Sequence, residues 1–258
     1  MNANVSNTTA WHSTLTIMTP YYAILLTTPL LLICKGAELK KSYPLILAFL
    51  AIAIADTSIS HYIPRLFPSV LEGLRWNWLG KSAGFIFGLV VVSMFRLWRF
   101  EEFNLRFAQR KSSYGWLVGY GVYLTCIFLL YDTNMRTSVE DLLFQATLPG
   151  LHEELICRSL LLGITLRLVE RPEISRTRKE IYAIGVVSLL FGLGHVEFNS
   201  LAFSGQSILR EIIAPFAGTS FIGFCMGVVA VKSGSIVFPI IFHNVFNISF
   251  YIGSPFYP

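Results

Sequence analysis

The run Pro149-Gly150-Leu151-His152-Glu153-Glu154-Leu155-Ile156-Cys157-Arg158 sets two adjacent carboxylates and a guanidinium at the head of an apolar stretch. Charges inside such a segment are costly. At membrane depth they face the protein interior and mark function. On a helix, Glu154 and Arg158 are four apart, share a face and can pair. Glu153 is turned about 100° away and lies over Cys157. The spacing therefore separates two roles. Glu154 is expected to stay ionised beside Arg158. Glu153 has no partner on its own helix, which suits a general base. Taken alone, the stretch also fits a structural ion-pair cluster that joins two helices.

Two further motifs carry imidazoles. Phe191-Gly192-Leu193-Gly194-His195 ends an apolar run, and its glycines permit close helix packing. His243-Asn244-Val245-Phe246-Asn247 lies inside another. His243 and Asn247 are four apart and share a face, so together they can direct two donors at one oxyanion. Each histidine alone fits a satisfied core residue or an interhelical hydrogen bond. Joined with Glu153 on three separate helices, they point to a site.

The elements that must position these groups are transmembrane helices. Of 258 residues, 54% are hydrophobic and only 14% charged, against roughly a quarter charged in a soluble domain. The expected fold is all-α, a polytopic bundle of about eight transmembrane helices at 15–34, 44–63, 82–97, 114–131, 142–168, 181–198, 208–231 and 235–252. Pro20 and Pro29 suggest a kinked first span. Pro149-Gly150 interrupts the fifth, with a short amphipathic piece at 139–148 before the true span. No repeat or linker divides the chain. One transmembrane domain covers 1–258, with helices of unassigned role in 1–135 and a core carrying the three motifs in 139–252. The polar first ten residues lack the basic region of a cleaved signal peptide.

The net charge of +5 is explained by basic loops rather than by nucleic acid. Loops rich in Lys and Arg alternate with poor ones. The exception is the mixed loop after the second span, with Arg65, Arg75 and Lys81. The alternation puts both termini outside and the basic loops in the cytoplasm, in a plasma (inner) membrane. Glu153, His195 and His243 then meet in a pocket open toward the outer face. Cys34, Cys126, Cys157 and Cys225 form no C-x-x-C pair and read as small buried hydrophobes without a disulfide framework. His152 reads as a surface residue at the pocket mouth. Asp56 either pairs with an arginine or lines a cavity, and Glu197 and Asn199 either line the entrance or face water.

From about residue 142 onward, the ordered motifs Glu153-Glu154…Arg158, Phe191…His195 and His243…Asn247 resemble the CPBP family, the CAAX-protease and bacteriocin-processing (Abi) proteins. This family includes type II CAAX prenyl endopeptidases and myxosortase-type sorting proteases. The resemblance implies an intramembrane endopeptidase. In it Glu153 and His195 activate water, His243 and Asn247 stabilise the oxyanion, and Glu154 and Arg158 support them. The implied partner is a membrane-anchored protein or peptide with a sorting or CAAX-like tail, in the lipid bilayer. Prenylated tails are less favoured, because their processing is cytosolic. A metal-free glutamate mechanism is favoured, with zinc on Glu153, His195 and His243 as the alternative. A non-catalytic immunity or scaffold protein on this fold, and a transporter with a buried proton relay, are the competing functions.

Overall fold

The computed structural model describes residues 37–95, 103–107, 109–130, 137–196 and 212–251. The expected first span, Cys34, Glu197 and Asn199 lie outside them. Every helix or strand among the described residues is helical, with one isolated bridge between Leu105 and Ser235. The helices are α1 (Ala37–Leu66), α2 (Trp78–Met94), α3 (Tyr114–Leu130), α4 (Val139–Gln145), α5 (Leu148–Glu154), α6 (Leu162–Leu168), α7 (Arg176–Leu193), α8 (Ala214–Ser233) and α9 (Val237–Ser249). A π-helical segment, Leu155–Leu161, joins α5 to α6. Helices thus occupy the places of the second to eighth expected spans. By length and composition, Ser42–Leu66 and Ala214–Ser233 are long and apolar enough to cross a membrane, while Trp78–Met94 and Val237–Ser249 are apolar but shorter.

The distribution of polarity is that of a protein in lipid. Large apolar side chains face outward, among them Ile86, Val90 and Met94 on α2, Trp116, Val118 and Val122 on α3, and Ile241 and Val245 on α9. The interior instead holds Glu154, Arg158, Ser159 and Thr165, all almost fully buried. In water so much exposed apolar surface would be a liability. In a bilayer it is the solvated face. Cys126 departs from expectation: it lies on α3, where the apolar side chains face outward, and it is exposed.

The interrupted fifth span takes its form from local chemistry. Ser138 and Asp141 cap α4 reciprocally: the Asp141 N–H donates to Ser138 Oγ at 3.2 Å and the Ser138 N–H to Asp141 Oδ2 at 2.7 Å. The chain breaks at Ala146-Thr147, and Pro149 opens α5, where its missing N–H costs nothing. The gap is filled from α9. The Gly150 N–H donates to Asn244 Oδ1 at 2.8 Å, and Asn244 Nδ2 donates to the Thr147 carbonyl at 3.2 Å. A Cβ at Gly150 would collide with the Asn244 amide and the Ile240 carbonyl. The expected glycine packing occurs at Gly192, where a Cβ would meet the Ser220 hydroxyl and Phe216 carbonyl of α8. Gly194 has only ordinary contacts and caps α7.

At the opposite end, Glu180 in the charged first turns of α7 clamps α7 to α8. It accepts from Arg176 Nε at 2.9 Å and Lys232 Nζ at 2.5 Å. Burial opposes its charge, but these two cations outweigh burial and hold its carboxyl below the usual glutamate range. A depressed carboxylate contributes stability that is present above its unfolded pKa and lost as pH falls through the folded one. Glu180→Gln should therefore flatten the acid limb of thermal unfolding in detergent, followed from about pH 7 to about pH 3. An unchanged acid limb would contradict the clamp. Gly150→Ala should cost about 1–3 kcal/mol by overpacking, read in the same unfolding assay, with Gly194→Ala nearly neutral.

Candidate functional site

Glu154 and Arg158 form the expected pair. Arg158 Nε lies 3.2 Å from Glu154 Oε2, and both side chains are almost wholly buried. The guanidinium has further partners. Arg158 Nη2 donates to the Gly223 carbonyl at 3.3 Å, and the group sits 4.2 Å from the centre of the Phe191 ring. The other oxygen of Glu154, Oε1, lies 2.7 Å from His243 Nδ1. A carboxylate there accepts, which assigns the proton to Nδ1 and leaves Nε2 pointing the other way.

Glu153 faces the opposite side, as the helical spacing predicts. His195 Nε2 and His243 Nε2 both lie 3.7 Å from the same oxygen, Glu153 Oε2. The ring of His195 is oriented like that of His243, because its Nδ1 lies 2.8 Å from the Phe191 carbonyl, which can only accept. So three polar atoms from α5, α9 and the turn after α7 converge on one point. Glu153 Oε2 is buried and has no hydrogen-bond partner among the described residues. At 3.7 Å the imidazoles are too distant for a direct bond, and a polar gap of that width suits a bridging water.

Glu153, His195, Cys157, Lys81, Asp56 and His152 line one cavity of about 420 Å³ between α1, α2, α5 and α7. Lys81 and Asp56 place the N-terminal helices in the site. Lys81 Nζ bonds Glu153 Oε1 at 2.5 Å, so Glu153 has a partner that its own helix does not supply. Lys81 sits in the first turn of α2, which Asn77 caps by accepting from the Gly80 N–H at 2.9 Å. In the sequence Lys81 reads as a loop cation, and its signal was the one loop that broke the charge alternation. Both described cations at the N-terminal end of α2 are bound to carboxylates: Lys81 to Glu153, and Arg75 Nη1 to Asp141 Oδ2 at 2.9 Å.

His152 is not at the surface. It is buried, and its Nε2 lies 2.6 Å from Asp56 Oδ1. Asp56 thus both lines the cavity and pairs, with this histidine rather than an arginine. Asn247 lies half-buried one turn beyond His243 on α9 and is not among the residues lining the cavity. Its neighbour Asn244 is the amide with a defined task, at the Gly150 break.

Removing the carboxylate at 154 strands a buried guanidinium. Glu154→Gln should lower stability by about 3–5 kcal/mol, measured by unfolding in detergent. Glu153→Gln should cost far less, since Lys81 is about a quarter exposed and can turn to solvent. Equal losses would contradict the division of roles between the two glutamates.

Residues 135–249 match the family model described as type II CAAX prenyl endopeptidase Rce1-like. No curated protein and no solved structure matches the chain. The matched family consists of integral membrane proteases, in keeping with the outward apolar helices. The match spans all of α4 to α9 and leaves Asp56 and Lys81 outside it. By this match the second part of the chain is similar to the Rce1-like type II CAAX prenyl endopeptidases, within the CPBP group that its three motifs resemble.

Proposed function

We propose that this protein is an intramembrane endopeptidase that hydrolyses a peptide bond in the tail of a membrane-anchored protein by a glutamate-activated water. The observation that carries the reading is the convergence of His195 Nε2 and His243 Nε2 on the unpartnered Glu153 Oε2, at 3.7 Å each. A water held by these three atoms has two protons to offer to three acceptors. The fully bonded cluster therefore holds one more proton on an imidazole. His243 is the better host, because a carboxylate faces each of its nitrogens.

In this reading Glu153 takes a proton from the water as the oxygen attacks the carbonyl carbon. His243 Nε2–H donates to the developing oxyanion; Asn247, outside the cavity lining, is the second donor that the resemblance implies. Collapse of the intermediate breaks the C–N bond, and the proton held by Glu153 passes to the departing amine. His195 orients the water. Lys81 occupies Glu153 Oε1 and so leaves Oε2 to the water.

The donor chemistry supports a metal-free route. The Lys81 ammonium already sits on the Glu153 carboxylate and neutralises the charge that a metal ion would need there. Topology completes the reading. The cavity lies at the end of the bundle away from the basic turns that hold Arg171, Arg176 and Lys232, so the positive-inside rule puts it toward the outer face.

Cleavage of a co-expressed membrane-anchored tail tests this directly. Glu153→Gln should abolish cleavage while the protein stays folded, and a strong chelator should leave the wild type unchanged. Loss on chelation with recovery by zinc would overturn the metal-free route, and full activity of Glu153→Gln would overturn the site. Lys81→Met should lower kcat about 100-fold through misplacement of Glu153 with little change in KM, and Lys81→Arg should recover part of it.

A further inference from the structure

A second cavity, of about 620 Å³, opens at the other end of the bundle. It lies between Asn104 and Arg110, the end of α6, the start of α7 and the end of α8. Arg110, Arg167, Arg176 and Lys179 line it against Glu170 and Glu180. Both carboxylates are already engaged: Glu180 by Arg176 and Lys232, and Glu170 by Lys179 at 2.5 Å. Neither is therefore available to neutralise Arg110, whose guanidinium has no ion pair among the described residues.

Arg110 is held in place by the fold. Its N–H donates to the Ser233 carbonyl at 3.3 Å, and the Arg106 N–H donates to the Gly234 carbonyl at 3.2 Å. Gly234 takes a φ of +69°, and a Cβ there would press on the Arg110 guanidinium. The turn between α8 and α9 is thus shaped to seat that side chain. Asn104 fixes the same segment from the other side. It donates from Nδ2 to the Arg158 carbonyl at 3.0 Å, and the Asn104 carbonyl accepts from the Ile236 N–H at 2.8 Å. The cavity also has an apolar lining, from Gly163, Leu166 and Val231.

A guanidinium with no ion pair among the described residues, Arg110, over an apolar wall at the basic end of a membrane bundle suits an anionic amphiphile. We propose that this cavity binds a phosphate group, presented by the headgroup of an anionic phospholipid of the leaflet at the basic end. Arginine suits the phosphate, because its planar fork meets two oxygens at once. The apolar lining suits the glycerol and the first methylenes of the acyl chains.

The test uses the purified full chain in a neutral detergent. Its thermal unfolding is followed with added phosphatidylglycerol, phosphatidylcholine or inorganic phosphate. Phosphatidylglycerol should raise Tm by about 3 °C or more, and phosphatidylcholine should not. The gain should vanish in Arg110→Glu, with Arg110→Gln carrying the comparison if the first variant does not fold. Inorganic phosphate should give a much smaller rise. If it matches the lipid and competes with it, the phosphate site stands but its source is soluble. Equal shifts from both lipids, or an undiminished phosphatidylglycerol shift in the Arg110 variants, would overturn the proposal.

Discussion

A guanidinium buried in an apolar bundle constrains everything around it. Arg158 cannot be left unpaired without a penalty of several kcal/mol, and no single helix can satisfy all its donors. The structure meets most of this demand from several sides: Glu154 one turn away, the Gly223 carbonyl on α8 and the Phe191 ring on α7, with Nη1 left without a hydrogen-bond partner among the described residues. Glu154 in turn holds His243 of α9. One charge therefore fixes the relative placement of four segments, and three of them, α5, α7 and α9, also carry or adjoin the residues of the site. Glu153 follows Glu154 by a single step back along the chain, so the same network sets where Glu153 must point.

That arrangement explains why the two glutamates differ so sharply in their surroundings. Glu154 is buried among permanent partners and acts as a support. Glu153 looks into a cavity, with one oxygen on Lys81 and the other facing two imidazoles. The π-helical segment that begins just after Glu154 fits this division. Such local widening of a helix is often found at functional sites. It falls here between the carboxylates and the apolar run that anchors them.

Much of this was legible from spacing within single helices. The Glu154–Arg158 pair follows from a four-residue interval, and the opposite facing of Glu153 from a rotation of one residue. The break at Pro149-Gly150 follows from a proline that can start a helix but not continue one. The meeting of Glu153, His195 and His243 needed only that three helices share a depth. Contacts between distant segments were not legible. Nothing local in Trp78-Leu79-Gly80-Lys81 says that its lysine reaches Glu153. The Asp56–His152 pair spans 96 positions, and a histidine beside two glutamates reads as a rim residue until the partner helix is placed. On α9 the four-residue rule selected Asn247 with His243. The intervening Asn244 was missed because its partner is a backbone gap on another helix.

The central claim is that Glu153, His195 and His243 hold one water between them. A cryo-EM structure of the full chain in a lipid nanodisc, at a resolution that shows ordered solvent, tests it most directly. The account predicts a single density at about 2.8 Å from Glu153 Oε2 and both Nε2 atoms, with Lys81 on the other carboxylate oxygen. A density bonded at about 2.0–2.1 Å to the same three atoms, or imidazoles turned away from Glu153, would contradict it.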